Sequence, residues 1–171
     1  MPESPPVLLI AWHSRTGAAQ QMAQAAAHGA RRVAHEMQAA LAVRMCEAQR
    51  LSAPDVRAAS GYLFCAPENL GTVSGEMKAF FDRNYYAVLD ELAGQPYGLM
   101  IAAGTDGTGA QRQIERIVTG WRLQAVAPAI VARNGAQTPE AILAPKRITP
   151  EVRAQCEELG GLLAGVLLLQ S

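Results

Sequence analysis

The sequence predicts an α/β protein, a three-layer sandwich in which a five-stranded parallel sheet is covered by helices on both faces. Short apolar runs alternate with longer stretches of helical periodicity, the pattern of strand–helix–strand units. The first run, Val7-Leu8-Leu9-Ile10-Ala11-Trp12, is continuous rather than alternating, as expected for a strand buried on both faces. A length of 171 residues fits a single domain spanning 1–171, and among doubly wound sheets it favours the smaller 2-1-3-4-5 strand order.

Residues 1–6, with three prolines, read as a disordered lead-in. After the first strand, His13 to Gly17 turn into an alanine-rich helix running from Ala18 to about Ala40. Met22, Ala26, Ala30, Val33 and Met37 recur there at helical spacing and mark its inward face. Leu41 to Cys46 supplies a second strand. Ser52-Ala53-Pro54-Asp55 has the Ser-to-Asp spacing of a capping box opening a short helix. Gly61 to Ala66 is the central third strand, ended by Pro67, and a helix begins near Gly75 and carries Phe80, Phe81 and Tyr85. Tyr97 to Ala103 is the fourth strand. The loop Gly104 to Gly109 then precedes a helix with Ile114, Ile117, Val118 and Trp121 at helical spacing. Ala125 to Ala132 is the fifth strand, where Pro128 implies an edge position or a bulge. Thr138-Pro139-Glu140 and Thr149-Pro150-Glu151 each place a capping Thr before a Pro suited to the first helical position. The second opens the last helix, which runs towards Leu169.

Composition narrows the function classes. Fifteen basic residues balance fifteen acidic ones. The clustered basic footprint of a nucleic-acid binder is missing, and a strongly acidic docking protein is disfavoured. Cys46, Cys65 and Cys156 are odd in number and lack C-x-x-C spacing, so neither a disulfide scaffold nor a zinc ribbon is expected. His28 and His35, seven residues apart on the first helix without an acidic partner, read as solvent-facing rather than as metal ligands. The apolar run Leu162 to Leu169 is too short to span a bilayer, and the N-terminus lacks a basic-then-apolar leader. A soluble, cytoplasmic protein with no membrane partner is therefore expected. Thirteen arginines against two lysines, with 32 alanines, indicate a GC-rich bacterial genome.

In a doubly wound sheet, ligands bind outside the carboxyl ends of the strands. The loops after strands one, three and four share that end, so one composite site from three loops is predicted. His13-Ser14-Arg15-Thr16-Gly17-Ala18-Ala19 joins a buried strand to a long helix, whose first turn offers unsatisfied N–H groups and the positive end of a dipole to an anion. From this loop alone, a capped turn in which Ser14 and Gly17 serve only backbone geometry explains the residues equally well. A G-x-x-x-x-G-K-[ST] triphosphate loop and a dinucleotide G-x-G-x-x-G are both missing. The compact loop suits a terminal monophosphate, pointing to FMN over FAD or NAD.

The run Leu8 to Gly17 resembles the opening of the flavodoxin-like family, in which an apolar strand leads into S-x-T-G and a helix. Ala66-Pro67-Glu68-Asn69-Leu70-Gly71-Thr72-Val73-Ser74-Gly75-Glu76-Met77-Lys78-Ala79-Phe80-Phe81-Asp82-Arg83 is similar to that family's segment S-P-x-y-x-G-x-[MV]-S-x-x-[ML]-K-x-F-x-D. That segment is found in its NAD(P)H-dependent FMN oxidoreductase and quinone reductase branch. The likeness runs from about Val7 to Gly135. It implies that Ser14, Arg15, Thr16, Gly17, Ala18 and Ala19 cradle an FMN phosphate. Pro67, Glu68, Asn69, Leu70, Gly71 and Thr72 would line one edge and face of the isoalloxazine, with Gly104, Thr105 and Asp106 closing the other side. Ala18 and Ala19 stand where many relatives carry Asn and Thr, and Leu70 where many carry an aromatic residue. NAD(P)H is implied as electron donor and a small molecule as acceptor. Because the flavin itself carries the redox chemistry, no catalytic side chain is assigned.

Several residues read as structural. His13 is expected to be a hydrogen-bonded loop histidine, Trp12 and Trp121 core residues, and Asp82 a mid-helix partner in a structural hydrogen bond. Phe80, Phe81, Tyr85 and Tyr86 divide between core and surface. Leu162, Leu163, Val166, Leu167 and Leu169 crowd the last helix, where a homodimer seam is expected. The leading function is an FMN oxidoreductase passing electrons from NAD(P)H to a quinone or flavin. A non-enzymatic flavodoxin-type electron carrier and a flavodoxin-like module without FMN remain the alternatives. A response-regulator receiver and a low-molecular-weight phosphatase are set aside: the central strand ends in Cys65-Ala66 rather than an aspartate, and the first loop has no Cys.

Overall fold

The computed structural model describes residues 4–171. Part of the expected lead-in, Met1 to Glu3, lies outside the described residues. Pro6 is already tied down, because its carbonyl accepts the N–H of Ala42. The strands are β1 (Val7–Trp12), β2 (Ala42–Glu47), β3 (Gly61–Asn69), β4 (Thr72–Val73), β5 (Pro96–Ala103), β6 (Gln124–Ala125) and β7 (Ile130–Arg133). The helices are α1 (Ala18–Glu36), α2 (Ala53–Arg57), α3 (Gly75–Asn84), α4 (Thr108–Gly120), α5 (Pro139–Leu143) and α6 (Pro150–Gln170). The sheet runs β2-β1-β3-β5, with β6 and β7 both beside β5. That is the predicted 2-1-3-4-5 order with the last strand in two pieces. Its pairs are parallel, for example Leu8 with Gly61 and Cys65 with Met100.

Three boundaries differ from the sequence reading, each for a local reason. The first helix ends at Glu36, not near Ala40, because Gln38 takes φ 52° and turns the chain out. The third strand passes through Pro67 to Asn69 instead of stopping there. Cys65 turns its carbonyl towards β1, accepting from His13 N at 3.0 Å. Two residues on, the proline faces the same side beyond the end of β1, so its missing N–H costs no ladder bond. The extension then folds back as an antiparallel hairpin with β4. Leu70 and Gly71, at φ 53° and 77°, supply the two positive-φ positions that such a tight turn needs. The fifth strand is interrupted around Pro128, as expected for a proline at an edge.

The two faces of the sheet carry different cores. One is aromatic, with Tyr62, Phe64, Phe80, Phe81 and Trp121 fully buried under α3 and α4. The other is built from small residues of α1 and from α6. A Cβ at Gly29 would lie 1.9 Å from Glu157 O, and one at Gly160 would lie 1.9 Å from Ala26 O, so these two helices meet backbone to backbone. The Ser52–Asp55 capping box forms, and Thr138 and Thr149 cap α5 and α6 by accepting from Ala141 N and Val152 N. Among the described residues, no helix is long and apolar enough to cross a membrane.

Candidate functional site

Gly17 caps α1 in the left-handed region at φ 104°, and its N–H donates to Ser14 Oγ at 3.1 Å. The Ser14 hydroxyl proton thus remains available to a ligand. The first bond of the helix is Gln21 N–H to Gly17 O at 3.1 Å. Upstream of it, the N–H groups of Ala18, Ala19 and Gln20 find no acceptor among the described residues. The first turn holds no acidic residue. Its floor is fixed from below, where the Cys65 thiol donates to Ala19 O at 3.1 Å. Burial pushes that thiol well above its ordinary pKa, so it stays protonated.

The hairpin after β3 and the start of α4 form the second wall, and they are fastened to each other. Glu68 accepts from Gly107 N at 2.9 Å with one carboxylate oxygen and from Ala110 N at 3.0 Å with the other. Val73 N donates to Gln113 Oε1 at 2.9 Å. Gly109 lacks the Cβ that would sit 1.9 Å from Gly71 O, which lets the hairpin tip lie directly on the helix. Asp106 accepts from the Thr108 hydroxyl at 2.8 Å and from Thr108 N. Those two bonds, led by the hydroxyl, hold its carboxyl below the usual range.

A third wall comes from the chain between β7 and α6. Asn134 N and Gly135 N continue the pairing onto Ala103 O and Gly104 O at 3.0 and 2.8 Å. The chain then forms α5 and returns over the α1 loop, where Lys146 N donates to Thr16 O and Lys146 O accepts from Gln21 Nε2 at 2.7 Å. The Lys146 ammonium turns back onto the carbonyls of Ala141, Ile142 and Ala144, closing the end of α5. This strap was not legible as part of the site. The Thr138-Pro139-Glu140 motif announced a helix but gave no sign of where it would lie.

Together these walls enclose a cleft of about 300 Å³, a size at the lower end for small-molecule sites. Of the predicted residues, Ser14, Arg15, Thr16, Ala18 and Ala19 line it from the α1 side. Pro67, Glu68, Asn69, Leu70 and Gly71 line it from the hairpin, and Gly104 and Thr105 from the loop after β5. Gly17, Thr72 and Asp106 are not among its lining residues: Gly17 is the helix cap, Thr72 bonds within the hairpin, and Asp106 bonds to Thr108. Asn134, Ala136 and Ile142 are additions from the strap. Leu70 stands wholly in solvent at the hairpin tip, an unusual place for a leucine at positive φ.

His13 is not among the cleft's lining residues; its Nδ1 lies 2.9 Å from Ser74 Oγ and its Nε2 3.5 Å from Glu76. It is the hydrogen-bonded loop histidine the sequence implied. Burial lowers its pKa, against the opposing pull of Glu76 and Glu47. Trp121 is buried and donates to Tyr85 O, while His28 and His35 face solvent. Asp82 pairs with Lys78 on the surface of α3. Cys156 is buried and its thiol is pushed up to about 12.

The cleft fits FMN on its own chemistry. Three vacant N–H groups and a free hydroxyl converge at a carboxylate-free helix start, as a phosphate requires. The rest of the cleft is bounded by the hairpin from Pro67 to Gly71, by Gly104 and Thr105, and by Asn134, Ala136 and Ile142 of the strap. Known proteins agree on the architecture. A flavodoxin from the domain Archaea superposes with TM-score 0.74 at 15% identity, over 94% of this chain and 98% of that one. An oxidoreductase of Corynebacterium diphtheriae gives TM-score 0.72 at 17% identity, over 98% of each chain. At such identities the likeness is one of fold. A probable NAD(P)H dehydrogenase (quinone) of Arabidopsis thaliana is 36% identical over 70 residues, which are 40% of this chain and only 26% of the plant protein's length. Residues 49–138, more than half of the chain and including β3, the hairpin, α4 and β7, match the NADPH-dependent FMN reductases, and to that family of oxidoreductases the chain belongs.

Proposed function

We propose that this protein binds FMN in the cleft, accepts a hydride from NAD(P)H and passes the electrons to a quinone or a flavin. The observation that carries this reading is the vacant first turn of α1 opening into a closed-sided cleft. Ala18, Ala19 and Gln20 N–H, with the Ser14 and Thr16 hydroxyls and Arg15, would hold the phosphate. Each hydrogen bond to a charged oxygen contributes about 1.5–3 kcal/mol. Main-chain donors do not depend on side-chain identity, so Ala18 and Ala19 serve without side-chain polar groups. Pro67 to Gly71 and Gly104 to Thr105 would bound the ring, and the strap would keep water from the side nearest β7. When bound, FMN supplies the redox chemistry, and the chain binds and orients it. No side chain need move a proton.

A titration of FMN followed by quenching of its fluorescence, with NADH and NADPH oxidation measured in the presence of a benzoquinone, tests this. Quenching accompanied by nicotinamide oxidation is expected. Quenching without oxidation would leave an electron carrier, and no quenching at millimolar FMN would end the proposal. The same reading covers a single domain over 1–171 in a bacterial cytoplasm. Leu162 and Leu169, exposed on α6, support a homodimer, to be read by light scattering.

A further inference from the structure

Resting on the reading of the cleft as an FMN site, we infer that Glu68 sets the redox poise of the flavin by filling the start of α4 with the chain's own negative charge. Glu68 sits on the extension of β3 and lines the cleft. Both of its carboxylate oxygens are committed, at 2.9 Å to Gly107 N and 3.0 Å to Ala110 N. A carboxylate held by two charge-assisted bonds from rigid backbone cannot swing away when the charge beside it changes. Asp106 occupies Thr108 N in the same turn. Of the N–H groups from Gly107 to Ala110, only that of Gly109 is left without an acceptor among the described residues. Glu68 brings to this wall a full negative charge, larger than the roughly half positive charge of the helix N-terminus that it caps.

The sign of that wall bears on only one of the two oxidation states. Hydride transfer moves two electrons and one proton from the reduced nicotinamide, which leaves oxidised, to the ring. The cleft ends one negative charge richer. A fixed carboxylate disfavours the added charge, so Glu68 weakens the grip on reduced FMN relative to oxidised FMN. The bound flavin is thereby kept a stronger reductant towards its acceptor. Replacing Glu68 by Gln removes the charge and leaves an amide that cannot accept both N–H groups. The two changes act in one direction, making the wall more positive. A carboxylate that merely fastened the hairpin to α4 would behave otherwise: its loss would loosen both oxidation states alike and leave the potential unmoved.

The test is the midpoint potential of bound FMN, measured anaerobically in the wild type, Glu68→Gln and Glu68→Asp, with the Kd for oxidised FMN measured alongside. In Glu68→Gln the preference for reduced over oxidised FMN is expected to rise about tenfold, a shift of about +30 mV for a two-electron couple. Glu68→Asp, which keeps the charge, is expected to return most of the way to the wild-type potential. Should Glu68→Gln fail to fold, Asp106→Asn at an exposed position reads the same wall, with a smaller positive shift expected from screening. An unmoved potential in the variant that folds, whatever happens to Kd, overturns the inference and leaves the FMN reading intact. Failure of the wild type to bind FMN would overturn both.

Discussion

Two helices begin at the same end of the sheet with nearly the same cap, and they treat negative charge in opposite ways. Gly17 before α1 and Gly107 before α4 are both left-handed, at φ 104° and 92°. At α1 the donors of Ala18, Ala19 and Gln20 find no acceptor among the described residues, and the first turn itself holds no acidic residue. At α4, Glu68 takes Gly107 N and Ala110 N while Asp106 takes Thr108 N. The difference teaches that a glycine cap and a helix dipole do not make an anion site. Vacant donors with no acid in or on the same turn do, and that is decided by the side chains around the helix start.

The most direct way to break the contrast is to give α1 what α4 already has. In Ala18→Asp, a carboxylate in the first turn would occupy the vacant donors and repel phosphate. The Kd for FMN is expected to rise on the order of 100-fold, the equivalent of losing one or two bonds to a charged oxygen. The fold should not suffer, because an acidic residue near a helix N-terminus is stabilising by about 0.3–1 kcal/mol. Thermal melting of the FMN-free protein would thus stay level or rise while binding collapses. Undiminished FMN affinity would show that α1 is not the anion site.

A smaller effect is expected where the hairpin rests on α4. A Cβ at Gly109 would lie 1.9 Å from Gly71 O, whereas one at Gly75, at the start of α3, would meet nothing within 4 Å. Gly109→Ala must push the hairpin off the helix and strain the bonds of Glu68. A loss of about 1–3 kcal/mol is expected in urea unfolding, with FMN affinity falling severalfold. Gly75→Ala, free of that clash, should be neutral or gain about 0.4–1 kcal/mol through the unfolded state. Equal losses in the two variants would refute the close approach.

The same contrast marks how far the sequence could be read. Periodicity and continuous apolar runs located the strands, because burial on both faces of a parallel sheet leaves a one-dimensional trace in Val7 to Trp12 and Gly61 to Ala66. The motif around Ser14 to Ala19 was legible because the loop and the helix it serves are adjacent in sequence. The fastening of Glu68 to α4 was not. Its partners, Gly107 and Ala110, lie 39 and 42 residues away, and only the fold brings them together. Nor could the strap be anticipated, since Lys146 meets Thr16 through main-chain atoms that carry no residue preference.

The start of α3 is the third helix end at this edge, and it offers the mildest test. Its first turn takes no side-chain cap, unlike α4, but it carries an acid of its own: Ser74 meets His13 Nδ1, and Glu76 lies in the first turn 3.5 Å from Nε2. Burial lowers the His13 pKa below its ordinary value near 6.5, despite Glu76 and Glu47 pulling the other way. The folded protein therefore takes up a proton at His13 less readily than the unfolded chain. The resulting stability is complete above pH 6.5 or so and is lost as the pH falls from there through the folded-state pKa. Asp55 is lowered as well, first by the Ser52 N–H and against an opposing desolvation cost, but its contribution fades only in the ordinary carboxylate range. The two acid limbs are thus separable. Urea midpoints measured from about pH 8 to pH 5 should decline below about 6.5 in the wild type and stay flat over that window in His13→Gln. A decline of the same size in both proteins would assign that limb to another group and leave α3 without its proton-sensitive partner.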